Sequence, residues 1–310
     1  MVHAEGLFNW DKAFVKFFEK INTKLLSGFD YRTYIIVPDG NYFINPKSNS
    51  NNLTYQKTGG FAQITKDLFV KKLSLGAALR IDKADYFEAK FTPQFTVVYS
   101  PKETLNFRTS YQNGYRFPSI FEGFSNVNSG GVKRVGGLRI MSDGIFENSY
   151  TKASIDKFQA QVNNDVNTLG ITQVAAIEKN KNTIQKNPYT YLEPEFVKSL
   201  EVGFRGMALN KNLFIDADFY YNSYKNFIAQ VEASIPNTND PNLIPTALYS
   251  KSTQNRYRLW TNSKSKIYNY GGSLGFKYKL NQTFTALTNV TYTKLDRTDD
   301  KDGLEDGFNT

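Results

Sequence analysis

The sequence predicts an all-β fold, an antiparallel transmembrane β-barrel with long loops on one side. Apolar and polar residues alternate over segments most of which reach about 12 residues or more, whereas a tilted membrane strand needs about 9–11. Strands of soluble proteins usually have only about 5–6 residues. Tight turns and long connections alternate between these segments. Aromatic residues make up 15% of the 310 residues and gather at predicted strand ends, as in the aromatic girdles of membrane barrels.

Ten strands follow from the alternation. In Leu73–Ile81, for example, the odd positions are apolar or small, whereas the even ones include Ser74 and Arg80. Alternation with a period of two places one set of side chains on each face of a strand. The apolar face would meet lipid, and the polar face would line the lumen. The predicted strands are 2–8, 23–36, 55–69, 72–83, 88–100, 104–115, 195–207, 212–228, 265–280 and 283–296.

The connection at 116–194 is far longer than an ordinary loop. In its second half, Ile155, Phe158 and Val162 recur at helical spacing, and a similar signal follows at 174–177. This spacing predicts one or two short helices folded over the mouth of the barrel. Two other long connections, at about 37–54 and 229–264, lie on the same side, with a shorter link at about 83–88.

Three further segments carry weaker signals. Asp11–Ile21 predicts an amphipathic helix, either at the membrane interface or in a protein core. The Arg256–Trp260 run could stack on a sugar ring or on bases, although packing within the loop or a girdle is the better interpretation. Glu193 and Glu195 flank a proline and could form a glycosidase-like pair, but their position at the start of a strand favours a turn.

Composition excludes several classes of active site. The chain has no Cys, which excludes disulfides, thiolate-bound metals and cysteine nucleophiles. Its single His, His3, excludes a multi-His metal site. Dinucleotide-binding, phosphate-loop and hydrolase motifs do not occur in the sequence. We therefore predict a protein that is not an enzyme and has no catalytic, cofactor-binding or metal-binding residues.

The chain is basic, with 38 Lys and Arg against 29 Asp and Glu and a formal net charge of +9. The lysines are scattered through turns and loops without forming a basic stripe, so we predict no nucleic-acid partner. Membrane lipid and the phosphates of lipopolysaccharide are the partners that suit such a charge. An acidic run at 296–306 could bind Ca²⁺, but its spacing departs from the EF-hand pattern and favours a solvated loop.

Two stretches resemble signatures of one family. Tyr111–Ser119, followed by Glu122, resembles the S-Y-x-x-G-F-R-x-P-x-x-x-E signature of TonB-dependent outer-membrane receptors. Tyr191–Phe204 is similar to their L-x-P-E-x-x-x-S-x-E-x-G strand, and Leu213–Phe227 has their spacing of tyrosines. The resemblance extends across essentially the whole chain, and in style the chain is similar to receptors of the Bacteroidetes type.

The resemblance implies an active-transport receptor in the outer membrane of a Gram-negative bacterium. Such a receptor takes up a scarce, bulky nutrient, for example a siderophore or an oligosaccharide, and TonB supplies energy by pulling on a plug domain. The 116–194 connection would be an extracellular loop insertion. Strand parity gives the residues that would contact the plug or line the lumen, with simple lumen packing as the alternative. They are Arg80, Arg108, Glu201, Asp216 and Asp218.

The sequence also departs from the family pattern. Family members carry a signal peptide, a TonB box, a plug and a barrel of about 22 strands, and we identify none of the N-terminal parts in residues 1–310. We therefore expect about ten strands of a larger barrel, with TonB acting through a plug region missing from this chain. Two alternatives stay open. One is a self-contained outer-membrane barrel, such as a porin or an omptin-like protease, and the other is a soluble β-rich binding module.

Overall fold

The computed structural model describes residues 1–38, 42–47 and 51–297. These residues form fifteen β-strands and eight α-helices. The strands are β1 (Val2–Asn9), β2 (Thr23–Ile36), β3 (Leu53–Leu68), β4 (Leu73–Ala84), β5 (Lys90–Lys102), β6 (Leu105–Arg116), β7 (Asn126–Ser129), β8 (Val132–Val135), β9 (Tyr150–Thr151), β10 (Glu195–Ala208), β11 (Leu213–Lys225), β12 (Ile228–Pro236), β13 (Gln254–Asn262), β14 (Ile267–Lys279) and β15 (Thr285–Arg297). The helices are α1 (Trp10–Ala13), α2 (Val15–Lys20), α3 (Ile120–Phe124), α4 (Arg139–Ser142), α5 (Ile145–Asn148), α6 (Lys152–Leu169), α7 (Gln173–Asn180) and α8 (Ile244–Tyr249).

The main sheet has ten strands in the order β1-β2-β3-β4-β5-β6-β10-β11-β14-β15. Every neighbouring pair in it is antiparallel. All ten predicted strands are present, and their ends differ from the predicted ones by at most three residues. Within the described residues, β1 and β15 each pair on one side only. The main sheet is therefore open, which is consistent with a section of a barrel wall.

The two faces of the main sheet differ in chemistry. One face exposes large apolar side chains along the middle of the strands; Phe95 is 53% exposed and Val202 is 50% exposed. The opposite face carries half-buried charged residues, among them Asp82 and Asp216. A wide apolar face is unfavourable in water but matches the hydrocarbon of a membrane. The predicted alternation is confirmed, and we call the apolar side the lipid-side face and the polar side the inner face.

Short and long connections occupy opposite ends of the main sheet. At one end, the turns between β3 and β4 and between β10 and β11 each contain three consecutive residues with a left-handed backbone, at 69–71 and 209–211. Their φ angles lie between 50° and 69°. At the other end, the chain leaves the sheet at 37–52, 117–194 and 226–266. The alternation of tight turns and long connections is therefore the predicted one.

Two short helices replace the single helix predicted at Asp11–Ile21. Phe14 has a non-helical backbone, with φ −121° and ψ 51°, and it separates α1 from α2. Neither helix contains a buried residue, which excludes a place in a protein core. Trp10 Nε1 donates a hydrogen bond to Ser27 Oγ over 2.9 Å and ties α1 to β2. A position at the membrane interface stays a prediction for this segment.

The two longest connections, 117–194 and 226–266, fold together into a second unit, which we call the lid. It contains a five-stranded sheet in the order β7-β8-β13-β12-β9. β12 and β13 form an antiparallel hairpin, and β8 pairs with β13 in parallel. The prediction of one or two short helices in the first connection agrees with the structure in part, since α6 and α7 lie at the predicted positions, but α6 has 18 residues and is not short. The lid strands were not predicted, and in the later connection β12 and β13 have nine residues each.

The lid has hydrophobic cores of its own. One cluster lies among its strands and comprises Val135, Phe146, Tyr189, Val231 and Leu259. Another lies between α6 and α7 and comprises Phe158, Val162, Ala176 and Ile177. The helical spacing seen in the sequence is thus confirmed, except that Val174 is 77% exposed. Among the described residues no helix, α6 included, is both long and apolar enough to cross a membrane.

Candidate functional site

Arg116 connects three elements at the rim, the level at which the main sheet meets the lid. It ends β6 and lies opposite Glu195, the first residue of β10. Its guanidinium donates to the Glu195 carboxylate from Nε over 2.5 Å and from Nη2 over 2.9 Å. Nη1 donates to Glu122 over 3.0 Å, and Glu122 closes a capping box with Ser119 at the start of α3. The residues that carry the family resemblance therefore meet in one ionic cluster, the rim clamp (Arg116, Glu122 and Glu195).

The carboxylate of Glu195 is occupied by structural contacts. The residue is only 7% exposed, and besides the two Arg116 bonds it accepts one from the backbone N–H of Ile228 over 2.7 Å. Glu193 is exposed and accepts a hydrogen bond from Asn226 Nδ2 over 3.1 Å. A carboxylate that already holds three donors is poorly suited to proton transfer. The geometry supports the turn interpretation of this pair of glutamates and not a glycosidase-like one.

Arg80 belongs to an ionic cluster on the inner face of β4. Its Nε donates to Asp82 Oδ2 over 2.8 Å, and its Nη2 donates to Asp30 Oδ1 of β2 over 2.5 Å. The side chains reach across β3 at Gly59, where an added Cβ would collide with both Arg80 and Asp82. A side chain at position 59 would therefore have to displace the ends of the Arg80, Asp82 and Asp30 side chains. The cluster joins three neighbouring strands.

A second ionic cluster joins β6, β10 and β11 on the inner face. Asp216 accepts a hydrogen bond from Arg205 Nη2 over 2.6 Å, and its other oxygen lies 3.7 Å from Arg108 Nη2. Asp218, two residues further along the same strand, accepts from Ser273 Oγ of β14 over 2.5 Å. Both signs of charge are thus present on this part of the inner face, and Arg108 and Arg205 share the Asp216 carboxylate.

A cavity of about 410 Å³ opens on the inner face beside this cluster. Three of the predicted lumen-facing residues, Arg108, Glu201 and Asp218, line it. Ser110 and Tyr220 also line it, and in register they flank Glu201 on its two sides. The volume falls within the roughly 300–1,000 Å³ of small-molecule sites. The cavity can thus offer charged and hydroxyl groups to one polar ligand or to another protein surface.

The structure brings four of the five predicted residues together. Asp216 lies beside the three that line the cavity, whereas Arg80 belongs to the separate cluster on β4. Their function in contacting a plug or a ligand stays a prediction. Sequence reasoning missed the partners of Arg80. Asp82 could have been identified from the sequence, since it lies two residues after Arg80 and therefore on the same face of β4. Asp30 lies on β2, so its contact with Arg80 could be predicted only from the register of β2, β3 and β4.

A polar pair lies in the lid close to the start of β10. The Tyr191 hydroxyl donates to the Glu147 carboxylate, and the Arg139 guanidinium lies 4.4 Å from the Tyr191 ring centroid. Burial, together with the bond to Glu147, raises the pKa of Tyr191 to about 12. The same hydrogen bond lowers the pKa of the Glu147 carboxyl. At neutral pH the hydroxyl is therefore a donor and the carboxylate an acceptor.

The structure also bears on the two remaining segments that the sequence singled out, the Arg256–Trp260 run and the acidic run. Arg256–Trp260 is part of β13, where Arg258 Nε donates to Glu232 Oε1 over 2.9 Å and Leu259 is buried in the lid core. The loop-packing interpretation is thus supported. Most of the acidic run at 296–306 lies outside the described residues. In the part of the chain that the structure describes, no group of three or more metal-ligating His, Asp or Glu occurs.

A sequence model of the family described as "TonB dependent receptor-like, beta-barrel" matches residues 4–310. The chain belongs to the TonB-dependent receptor family. The match begins within β1 and includes the other nine strands of the main sheet, the lid and the rim clamp. The comparison with curated proteins gives no significant match.

Solved structures of transport proteins share the fold of this TonB-dependent receptor chain. The siderophore receptor PirA from Pseudomonas aeruginosa has a TM-score of 0.56 at 13% identity, over 94% of this chain and 40% of that one. A mutant of the ferric enterobactin receptor PfeA from Pseudomonas aeruginosa has a TM-score of 0.58 at 13% identity, over 94% and 35%. The copper transporter OprC has a TM-score of 0.50 at 14% identity, over 96% and 37%. The chain thus spans at most 40% of the length of each.

Membership of the TonB-dependent receptor family indicates which functional class of protein the chain comes from. The family consists of outer-membrane receptors and transporters rather than enzymes. This membership argues against both the omptin-like protease and the soluble β-rich module. The substrate is a separate question, since similarity at these identities shows the fold alone.

Proposed function

We propose that this chain is the barrel part of an active-transport receptor in the outer membrane of a Gram-negative bacterium. The receptor takes up a scarce, bulky nutrient, such as a siderophore or an oligosaccharide, with energy supplied through TonB. The observation that carries the proposal is the family match over residues 4–310. An apolar lipid-side face combined with a charged inner face supports it, because a transport barrel needs lipid on one side and a polar path on the other.

In the proposed receptor, the inner face holds a plug domain on which TonB acts. Arg108, Glu201 and Asp218 line the cavity there and offer both signs of charge within one patch. Charge-assisted hydrogen bonds from such a patch can fix a polar protein surface in one orientation. When the plug moves, Asp216 can keep its own pairs with Arg108 and Arg205.

The lid is the proposed extracellular part that meets the ligand first. It has its own cores and is attached to the wall through the rim clamp, so it is a folded unit rather than a set of independent loops. Structured loops on a rigid scaffold commonly carry binding sites. The structural relatives include proteins named as receptors or transporters for a siderophore, ferric enterobactin and copper. A metal chelate is therefore the first ligand class to test, and a glycan is the second.

Uptake by intact cells tests the proposal. Cells with and without the receptor gene receive ferric catecholate siderophore labelled with radioactive iron or, separately, a fluorescent oligosaccharide. We expect uptake of one probe that needs the gene and stops when a protonophore removes the energy used by TonB. The double variant Glu201→Gln/Asp218→Asn should reduce uptake several-fold, whereas Glu103→Gln on an exposed short turn should not. Uptake that persists with the protonophore would indicate a passive pore.

Cysteine labelling tests the orientation. The 310 residues contain no Cys, so Ser129→Cys in the lid and Lys211→Cys in a short turn each introduce one thiol in this chain. Both positions are exposed. In intact cells we expect a membrane-impermeant maleimide to label position 129 and not position 211. Labelling of position 211 alone would reverse the orientation and refute an extracellular lid.

A further inference from the structure

A row of uncharged polar side chains crosses the inner face of the main sheet. Its members are register partners from β3 to β14, so each lies beside the next on the neighbouring strand. Six of its seven positions carry a carboxamide or a hydroxyl group, and the seventh is Ala78 of β4. The six polar residues, which we call the amide row, are Gln63, Gln94, Gln112, Ser199, Asn222 and Asn269.

A second row runs on the same face, two residues nearer the short turns on each strand. Four of its seven positions from β3 to β14 carry a hydroxyl group, and Glu201 is its only charged residue. Gly76 and Gly271 complete it, and at Gly76 a side chain would collide with the hydroxyl of β5 beside it. The four hydroxyl-bearing residues, which we call the hydroxyl row, are Thr65, Thr96, Ser110 and Tyr220.

Two cavities lie along these rows. The cavity of about 410 Å³ on the inner face is lined by Thr96, Ser110 and Tyr220 of the hydroxyl row. A smaller cavity of about 60 Å³ is lined by Gln63, Gln94 and Thr96, with small residues of β4 between them. Because Thr96 lines both cavities, they adjoin, and together they reach from β3 to β11.

The amide row carries hydrogen-bonding groups that the chain itself does not use. Among the described residues, none of its six side chains donates or accepts a hydrogen bond, and Asn269 Oδ1 is buried without a partner. The charged side chains of the inner face differ, since Arg80 and Arg205 both form ion pairs with aspartates. A carboxamide without a partner in the protein binds water or a ligand. The groups left free for a ligand here are therefore mainly uncharged.

The direction of the rows follows from the tilt of the strands. Neighbouring strands lie about 4.8 Å apart, so the six steps from Gln63 to Asn269 span about 29 Å along the wall. Strands of membrane barrels tilt by about 40° from the barrel axis, and a row perpendicular to them is inclined by the same angle to the membrane plane. The amide row therefore rises by about 18 Å, which is most of the roughly 25 Å height of the apolar band.

A chain of sugar rings fits this succession of groups. Each carboxamide both donates and accepts, as each sugar hydroxyl does. Hydrogen bonds between neutral groups are about half as strong as charge-assisted ones, so a bound chain can exchange them one at a time and move. A charged ligand finds no opposite charge among the positions of the amide row. An extended protein segment has matching groups too, but a fixed partner needs no row that crosses most of the membrane.

We propose that the amide row and the hydroxyl row form a track along which an uncharged oligosaccharide crosses the outer membrane. Once the plug has moved, sugar hydroxyls exchange hydrogen bonds with Gln94, Gln112 and Asn222 in turn. The track selects against charged glycans, because a charge on the sugar would lose its water without gaining an opposite charge. The proposal rests on the proposed function and deepens it, since it selects the glycan over the metal chelate as the transported ligand.

Uptake by intact cells tests the track. Cells that make the whole receptor receive tritiated, uncharged hexasaccharides with glucose, mannose or xylose backbones, and carboxymethylated forms of the same sugars. We expect uptake of at least one uncharged hexasaccharide and about tenfold slower uptake of its charged form. The variant Gln94→Met/Gln112→Met removes two carboxamides. Since each neutral hydrogen bond contributes about fivefold in affinity, uptake by this variant at low concentration should fall about 25-fold.

Gln56→Met/Gln282→Met is the matched control, since it removes two exposed carboxamides, one on the lipid-side face and one in a short turn. Its uptake should stay within about twofold of that of the unmodified receptor. Gln94→Asn/Gln112→Asn keeps both carboxamides on the track and should stay within about threefold, which excludes misfolding as the cause of lost uptake. Equal losses in the methionine variant of the track and in the control would overturn the proposal, as would equal uptake of the charged and uncharged forms.

Photocrosslinking distinguishes the glycan from the plug as the partner of the amide row. The hexasaccharide carries a diazirine group, and mass spectrometry locates the crosslinked peptides. In energised cells we expect crosslinks in β5, β6 and β11, and in cells treated with a protonophore we expect them only in the lid. Crosslinks confined to the lid in energised cells would overturn the track and leave the plug as the partner of the amide row.

Failure of the track and failure of the proposed function give different results. Uptake of the ferric siderophore alone, stopped by the protonophore, would overturn the track and leave the proposed function in place. Uptake of no probe, or uptake that persists with the protonophore, would overturn the proposed function itself.

Discussion

The geometry of the rim clamp leads to a quantitative prediction about the free energy of unfolding. Arg116→Met removes the guanidinium and leaves the Glu195 carboxylate, which is only 7% exposed, with the Ile228 N–H as its remaining donor. Removal of one partner of a fully buried pair costs about 3–5 kcal/mol. The Arg116 side chain is 47% exposed, so we expect the lower end, a loss of about 3 kcal/mol in the free energy of unfolding.

A double-mutant cycle isolates the ionic contribution. Glu195→Gln keeps an acceptor for Ile228 and should cost about 1.5 kcal/mol, the lower value for a hydrogen bond to a charged group. In the double variant the buried Glu195 charge is absent, so we expect a total loss of about 2.5 kcal/mol, which gives a coupling of about 2 kcal/mol. Urea titration in lipid vesicles, followed by tryptophan fluorescence, measures all four free energies.

Lys181→Met is the matched control. This lysine is 45% exposed and pairs with Glu178, which is 69% exposed, a surface pair that should contribute less than about 0.5 kcal/mol. If Arg116→Met changes the free energy of unfolding no more than this control does, the rim clamp does not stabilise the protein. An additive cycle would show that Arg116 and Glu195 contribute independently.

Three other predictions concern a turn and the lid. Val70 is 97% exposed with φ 53°, so Val70→Gly should relieve backbone strain and raise the free energy of unfolding by about 1 kcal/mol in the same urea assay. Leu259 is fully buried, and Leu259→Ala should destabilise the lid by about 3 kcal/mol, seen as faster hydrogen exchange in β12 and β13 but not in β4. The lowered pKa of Glu147 stabilises the lid above the ordinary value of 4.5, and this contribution is lost as pH falls through the lowered pKa. Limited proteolysis between about pH 6 and about pH 3 should show that loss, and Tyr191→Phe should abolish it.

The ten strands of the main sheet were predictable because each one carries its signal locally. A strand with lipid on one face and polar groups on the other alternates along its whole length, so no partner needs to be known. Leu73–Ala84 shows this, since its exposed residues Leu75, Leu79 and Ile81 fall at alternate positions. Lipid imposes the pattern strictly, because it cannot satisfy polar groups on the outer face.

The lid was not predictable in the same way. Its strands β7, β8 and β9 have only two to four residues, too few to establish a period. β12 does alternate, with Val231, Ala233 and Ile235 against Gln230 and Glu232. This alternation did not identify a separate strand, because β12 follows β11 almost directly and an Asn- and Pro-rich turn comes after it. The parallel pairing of β8 with β13 depends on contacts far apart in sequence.

The inner-face site was predictable only in part. Strand parity identified Arg108 and Asp216 as residues of one face, but parity gives neither the register nor the neighbour of a strand. Arg108 of β6 and Asp216 of β11 approach to 3.7 Å because β10 lies between these two strands. β6 and β10 pair although the 78-residue connection from 117 to 194 separates them in the sequence. The sequence pattern does not show that β6 pairs with β10, and without this pairing the contact between the two side chains could not be predicted.

The pairing of β8 with β13 has a consequence for the order of folding. Val132 pairs with Arg256, so the lid sheet cannot close until more than a hundred further residues, including β10 and β11, have been placed. Closing so long a loop is slow, because its entropy must be lost before any contact forms. The wall of the main sheet can therefore insert into the bilayer first. The lid then assembles last, after the strands that flank its two connections, β6, β10, β11 and β14, have paired in the main sheet.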